Sequence, residues 1–244
     1  MTLGLFFFGC GFGLDKPFIF EYHRNEAIFS IAKSKRNRKY SLYKPYFKKM
    51  TKKETLWREI LFQAAEKKQF EFTQKELAER FGVSTSTVFN ALKIPRESGA
   101  IDVTGKNFIV RDTEKFLYLW ATQRNVNREI VYKTHFSAGP KEIEGMMPEG
   151  VIFGAYSAYA RKYEDAPADY DKVYIYADPK TLEEIKKRFP KKKGYANLFA
   201  LKADPELSKF GAAAPDVQTF ADIWNLKDWF AKEYLEALKQ KIIA

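Results

Sequence analysis

Residues 73–92, TQKELAERFGVSTSTVFNAL, decide how this chain is read. Thr73 is placed to cap a helix whose third residue, Glu76, can return a side-chain bond to the cap. Leu77, Ala78 and Phe81 then recur at three- and four-residue spacing as one apolar face, with Ala78 small enough for a neighbour to approach closely. Gly82 ends that helix, because glycine takes the left-handed stop conformation without steric cost. Val83 buries in the corner, and Ser84 caps a second helix predicted to run to about Ile94. Val88, Ala91 and Leu92 face inward, so Ser84, Thr85, Ser86, Thr87, Phe89, Asn90 and Lys93 are left outside.

The flanks fit the same reading. Upstream, Leu56, Ile60, Leu61 and Ala64 stand at helical spacing. Downstream, in AIDVTGKNFIV, Ile101 and Val103 alternate with polar neighbours, Gly105 supplies a turn and Phe108 to Val110 return, a hairpin signal. Three helices followed by a two-stranded ribbon resemble the winged helix-turn-helix family. The resemblance implies a second helix laid in the DNA major groove and a ribbon along the backbone. On that reading Ser86, Thr87 and Asn90 reach base edges, since hydroxyls bond several bases and Asn pairs with adenine. Thr85, Lys93 and Lys106 would hold phosphates. A plain helical hairpin is the competing reading.

With 244 residues and 45% hydrophobic content, the chain can bury two modest cores of about 100 residues each. A single cysteine, Cys10, excludes an internal disulfide framework, and two histidines, His23 and His135, are too few for a Cys/His zinc site. The longest apolar candidate, Leu3 to Leu14, falls short of the roughly 18 residues of a membrane helix. The chain therefore reads as soluble and cytoplasmic, with no membrane partner, metal or cofactor expected.

The net charge of +11 is uneven. Residues 1–50 hold ten Lys/Arg against three Asp/Glu, residues 51–111 eleven against eight, and residues 112–244 twenty-one against twenty. A mildly basic winged helix makes modest phosphate contact per monomer, which points to a homodimer on DNA. The first fifty residues form a basic, aromatic extension. A secretory signal would place charge before its apolar core, yet nothing basic precedes Lys16. A DNA-clamping arm of Lys, Arg and Tyr is one reading; the favoured one is a start assigned upstream of a true Met50, which directly precedes TKKETLWREI.

Asp112 caps a helix through Phe116, Leu117 and Trp120, taken as a connector over residues 112–125. Beyond it, Ile130, Tyr132 and Phe136 indicate a strand, Pro140 opens a short helix through Ile143 and Met146, and Val151 to Tyr163 is a strand end running into a helix with small residues Gly154, Ala155, Ser157 and Ala158. KVYIYAD and ANLFALKAD read as strands around the helix PKTLEEIKKRF. The C-terminal stretch from Val217 reads as helical, with Trp229, Phe230, Tyr234, Leu235 and Leu238 as a core face, and Met146-Met147 as core. The expected fold is α+β: a winged helix-turn-helix domain at 51–111 and a mixed α/β partner or effector domain at 126–244.

A winged helix followed by FGAYSAYARKY, then KVYIYAD, then PDVQTFADIWN resembles the type IV toxin–antitoxin antitoxins of the abortive-infection class, also described as transcriptional regulators of viral defence. The resemblance covers about residues 52–244. It implies an autoregulating repressor whose winged helix binds its own promoter and whose second domain neutralises a nucleotidyltransferase-like toxin. It implies no enzyme. A stand-alone repressor is the alternative, and a degenerate nucleotidyltransferase using Asp169 and Asp171 to hold Mg²⁺ is the rival from another class. Ala155 offers that rival no hydroxyl for a phosphate, and EDAPADYD reads more simply as a solvated loop. Lys191 to Lys193 likewise read as a solvated loop, and His135 lacks a placed catalytic partner.

Overall fold

Thr51 opens the first helix, α1 (Lys52–Glu66), with a reciprocal cap. Its hydroxyl accepts from the Glu54 N–H at 3.2 Å, and the Glu54 carboxylate accepts from the Thr51 N–H at 3.0 Å. The computed structural model describes residues 50–243, all of them in one compact unit. The expectations for the N-terminal extension lie outside the described residues.

After α1 comes a short strand, β1 (Glu71–Thr73), then α2 (Gln74–Arg80), α3 (Thr85–Ala91) and α4 (Lys93–Glu97), then the hairpin of β2 (Ile101–Thr104) and β3 (Asn107–Val110). The strands pair antiparallel in the order β1-β3-β2, joined at the ribbon end by Gly105-Lys106. β1 was not foreseen. Phe72 on it stacks on Phe108 with ring centres 5.4 Å apart, which ties the ribbon to the helices. Helix α5 (Thr113–Gln123) follows, capped as expected by Asp112.

The remaining elements are β4 (Ile130–Thr134), α6 (Pro140–Gly145), β5 (Ile152–Gly154), α7 (Ala155–Tyr163), β6 (Val173–Ala177), α8 (Pro179–Arg188), β7 (Leu198–Lys202), α9 (Asp216–Trp224) and α10 (Ala231–Ile243). Together with the first half they make a mixed helix-and-strand fold, as α+β requires. The sheet order is β4-β7-β6-β5, parallel between β6 and β7 and antiparallel at both edges. β6 is buried along its whole length, as in a sheet covered on both faces. No helix among the described residues is long and apolar enough to cross a membrane.

Four expectations need correction here. β4 stops at Thr134, and Phe136 instead packs edge-on against Phe189 at 5.0 Å. The C-terminal stretch is two helices, broken at residues 225–230, because Asn225 turns its amide back onto the Ala121 and Ala221 carbonyls at 2.9 Å and ends α9. That break throws Trp229 outward to 80% exposure, while Phe230, Tyr234 and Leu238 are core and Leu235 is half-buried. Met146, at the C-terminal end of α6, is exposed, and only Met147 packs against the core.

Helix α9 is the keystone. It packs on α1 and α5 of the first half and on α7 and α10 of the second, and every residue from Asp216 to Ile223 is buried. Its polar residues, together with Asp204 beyond β7, answer buried charges from the first half. Arg58 of α1 forms a two-pronged pair with Asp204 at 2.7 and 2.8 Å and bonds Gln218 at 3.0 Å. Arg124, just past α5, bonds Asp222 at 2.9 Å, both Glu129 oxygens at 2.5 and 2.9 Å, and the Tyr176 hydroxyl at 3.1 Å, with Glu54 at 3.6 Å. Gly154 belongs to the same assembly: a Cβ there would sit 2.8 Å from the Tyr176 ring, so the small-residue segment makes room for the ring that reaches Arg124 and Asp222.

Candidate nucleic-acid interface

The turn between α2 and α3 is a left-handed stop built on Gly82, with φ +57°. The Val83 N–H donates to the Ala78 carbonyl at 3.0 Å and the Gly82 N–H to the Glu79 carbonyl at 3.3 Å, the paired bonds of a Schellman motif. At the other end of α2, the Thr73 oxygen accepts from the Glu76 N–H at 3.1 Å. The return bond from Glu76 is not made among the described residues; Thr73 is also the last residue of β1, paired with Asn107.

Helix α3 ends at Ala91, three residues earlier than expected. The cause is Pro95, which has no N–H to donate to the carbonyl four residues back. That carbonyl, Ala91, takes the indole N–H of Trp57 at 2.8 Å, so α1 closes the end of α3. Lys93 therefore stands on α4, not on α3.

Val88, Ala91 and Leu92 are buried as predicted. Ser84, Thr85, Ser86, Phe89, Asn90 and Lys93 are exposed, and Thr87 is half-buried. Two hydroxyls are already engaged: Ser84 accepts from the Thr87 N–H at 3.2 Å and shares a 2.9 Å bond with the Thr87 hydroxyl. Ser86, Phe89, Asn90 and Lys93 fall at three- and four-residue steps, the spacing of one outward stripe. Thr85 and Lys106 come together: with Gln74, Lys75 and Asn107 they line a single groove between the start of α2, α3 and the ribbon turn. Glu76 and Glu79 line it too.

Arg96 was missed. Its guanidinium lies over the exposed ring of Phe89 at 4.7 Å, so an arginine does stand beside the outward stripe. The spacing of seven residues, two turns, carries the signal, and placing the helix end at Ile94 hid it. The charge around α3 is nearly balanced. Residues 71–111 hold six Lys/Arg and five Asp/Glu, and Arg80 is taken by buried Glu59 at 2.8 Å. Lys75–Glu79 at 3.8 Å, Lys93–Glu97 at 4.0 Å and Arg111–Asp102 at 3.4 Å are exposed, loose pairs that water and salt screen. This face offers hydroxyl, amide and aromatic groups rather than a strong positive field.

Elsewhere, Asp169 and Asp171 are exposed, and the backbone of Ala155 is left-handed at φ +47° while its side chain is buried. No group of three or more His, Cys, Asp or Glu able to hold a metal is present among the described residues. The His135 ring bonds the Tyr195 carbonyl at 2.8 Å.

Capped α2, a left-handed glycine stop, outward-facing α3 and a three-stranded ribbon sheet define a winged helix-turn-helix module. Residues 55–118 match the Crp-like helix-turn-helix domain, a span that starts in α1 and ends inside α5. The match supports a DNA-binding transcriptional regulator, and speaks for a regulator rather than an enzyme. No curated protein and no solved structure matches the chain.

Proposed function

We propose that this protein is a sequence-specific transcriptional regulator that acts as the autoregulating antitoxin of a type IV toxin–antitoxin system. The observation that carries the DNA half of the reading is the outward stripe of Ser86, Phe89 and Asn90 on a helix held by the Gly82 stop beside the ribbon turn. On DNA, α3 enters the major groove. Asn90 presents its amide to an adenine edge, Ser86 and Thr87 bond bases through their hydroxyls, and Phe89 meets a thymine methyl. Thr85, Lys93 and Lys106 hold phosphates, and Ser84 keeps the helix start in shape. Balanced charge makes one copy a weak binder, so two copies occupy paired half-sites. Residues 51–111 are the DNA-binding part, 112–125 the connector and 126–244 the part that answers the toxin. The antitoxin half rests on the resemblance of FGAYSAYARKY, KVYIYAD and PDVQTFADIWN.

The test is binding to the DNA upstream of the gene, with a scrambled duplex as control. Asn90→Ala is expected to weaken the upstream duplex about tenfold or more, within the 1–3 kcal/mol of a bidentate base contact, and to leave the scrambled duplex unchanged. Equal binding by both proteins removes Asn90 from the interface. If an adjacent gene encodes a nucleotidyltransferase, co-expression should relieve the growth arrest that it causes; arrest that persists leaves a stand-alone repressor. The near-neutral face also favours a second reading, the winged helix as a protein-docking module, which absence of any upstream-duplex preference would select.

A further inference from the structure

The far end of the four-stranded sheet carries a surface that the proposed DNA contact does not use. β6 and β7 begin there and β4 ends there, while Asp204, beyond the other end of β7, holds Arg58 of α1. With five residues per strand, the two ends stand roughly 13–16 Å apart.

Two aromatic rings stand out on this far end: Tyr195, 65% exposed, and Trp229, 80% exposed, the most exposed large hydrophobic side chains of the described residues. Lys172 joins them. Its ammonium lies 5.1 Å from the Tyr195 ring centre and pairs with Asp228, the neighbour of Trp229. The chain that carries both rings is anchored from below. Asp228 also accepts from the Tyr156 hydroxyl at 3.0 Å, Phe230 is core, and the Tyr195 carbonyl is bonded by His135.

Beside Tyr195 runs Lys191-Lys192-Lys193, and the loop is pinned: Lys191 donates to the Lys133 carbonyl at 2.5 Å, and the Lys192 N–H donates to the Thr134 hydroxyl at 2.9 Å. With Lys133 and Lys172 this makes five lysines, against Asp171 and the already paired Asp228. The sequence alone makes the lysine run a solvated loop; its pinned seat next to the outward Tyr195 ring, which Lys172 links to the Asp228–Trp229 corner, is what the fold adds.

We propose that this surface binds a single-stranded polynucleotide, with bases stacking on Tyr195 and Trp229 and phosphates tracking residues 191–193. Flat exposed rings accept any base face, and lysines follow the backbone. A duplex keeps its base faces stacked internally, so projecting rings favour a single strand. A protein partner fits less well, because lysine is depleted at protein interfaces while it is the standard phosphate contact.

The experiment uses the full chain and fluorescein-labelled 12-nucleotide oligo(U), oligo(dT) and a 12-base-pair duplex without the upstream sequence, read by anisotropy. Single strands should bind more tightly than the duplex, and the better of the two oligomers tells RNA from DNA. Trp229→Ala/Tyr195→Ala should lose about tenfold or more in single-strand affinity. Lys191→Ala/Lys192→Ala/Lys193→Ala should flatten the salt dependence by about two in log–log slope. Both should keep their affinity for the upstream duplex, which separates failure here from failure of the winged-helix reading. Thermal melting checks the fold, and Trp229→Phe, which keeps a ring, should recover much of the loss. Unchanged single-strand binding in both multiple variants overturns the proposal, because other basic segments would then account for it. So does displacement by poly-glutamate from the aromatic variant and the unmodified chain alike, which would mark a site for acidic protein.

Discussion

Charged side chains do opposite work at the seam, where α9 meets the first half, and on the outward face of α3 and α4. At the seam Arg124 is fully buried among Asp222, Glu129 and Glu54, every nitrogen aimed at an acceptor. On the face Lys93 and Glu97 stand 4.0 Å apart and 62% and 60% exposed. The first arrangement fixes how α1, α5 and α9 sit, at a high desolvation cost that the bonds must offset. The second fixes almost nothing, and its groups are free to trade one partner for a ligand. Rigidity thus lies behind the helix-turn-helix, and exchangeable charged groups lie in front of it.

The strongest way to break that comparison is to remove Arg124. Arg124→Ala leaves three buried carboxylates without their shared counter-charge, and the expected loss is about 3–5 kcal/mol in urea unfolding. Lys93→Ala, the same kind of truncation on the face, should change stability by less than about 0.5 kcal/mol. A loss below about 1 kcal/mol for Arg124→Ala would mean that apolar packing around α9, not the ion network, joins the halves.

A smaller effect comes from the charge imbalance at the same place. One guanidinium faces three carboxylates, and burial, only partly countered by Arg124, pushes the Glu129 carboxyl up to about 6 and raises Asp222 as well. Arg124 itself stays charged, its guanidinium stabilised by Asp222 and Glu129 against the cost of burial. Because the folded state holds the Glu129 proton more tightly than the unfolded chain, its contribution is complete below about pH 4.5 and is lost as pH rises through about 6. That change is worth roughly 2 kcal/mol. Glu129→Gln keeps the protonated shape, so its stability relative to the unmodified protein should climb by about that amount between pH 4.5 and 6.5. A difference that stays flat across the window would show that Arg124 holds Glu129 ionised throughout.

How much of this was legible follows the same division. The α2–α3 turn was readable because each step is local: a cap, an apolar face, a glycine stop and a second cap lie within twelve residues. The strands KVYIYAD and ANLFALKAD were readable by their apolar runs. β1 was not, since three residues carry no period and the pairing partner, β3, lies more than thirty residues on. The end of α3 depended on Trp57 reaching the Ala91 carbonyl, a contact between residues 34 apart. The seam was invisible for a similar reason: Arg58, Arg124, Asp204 and Asp222 look like ordinary surface charges until α9 brings them inside. At the candidate interface the exposed residues came from periodicity, whereas the Arg96–Phe89 stack and the near-neutral field needed the fold.

The finest test of the comparison sits at Gly82, where the stiff and exchangeable regions meet. A Cβ on this residue would touch nothing within 4 Å, so Gly82→Ala is penalised only by its φ of +57°. The cost of forcing alanine into that conformation is about 1–2 kcal/mol. Asparagine tolerates the left-handed region better, so Gly82→Asn should lose about half as much. If the turn serves chiefly to aim α3, both variants should follow the same order in affinity for the upstream duplex as in stability, alanine worse than asparagine, while the seam keeps α1 and α9 packed and the far-UV spectrum unchanged. An alanine variant that loses its expected stability yet binds the duplex as before would show that the outward stripe does not depend on the angle of this turn, and would shift recognition toward the ribbon and the Thr85–Lys106 groove.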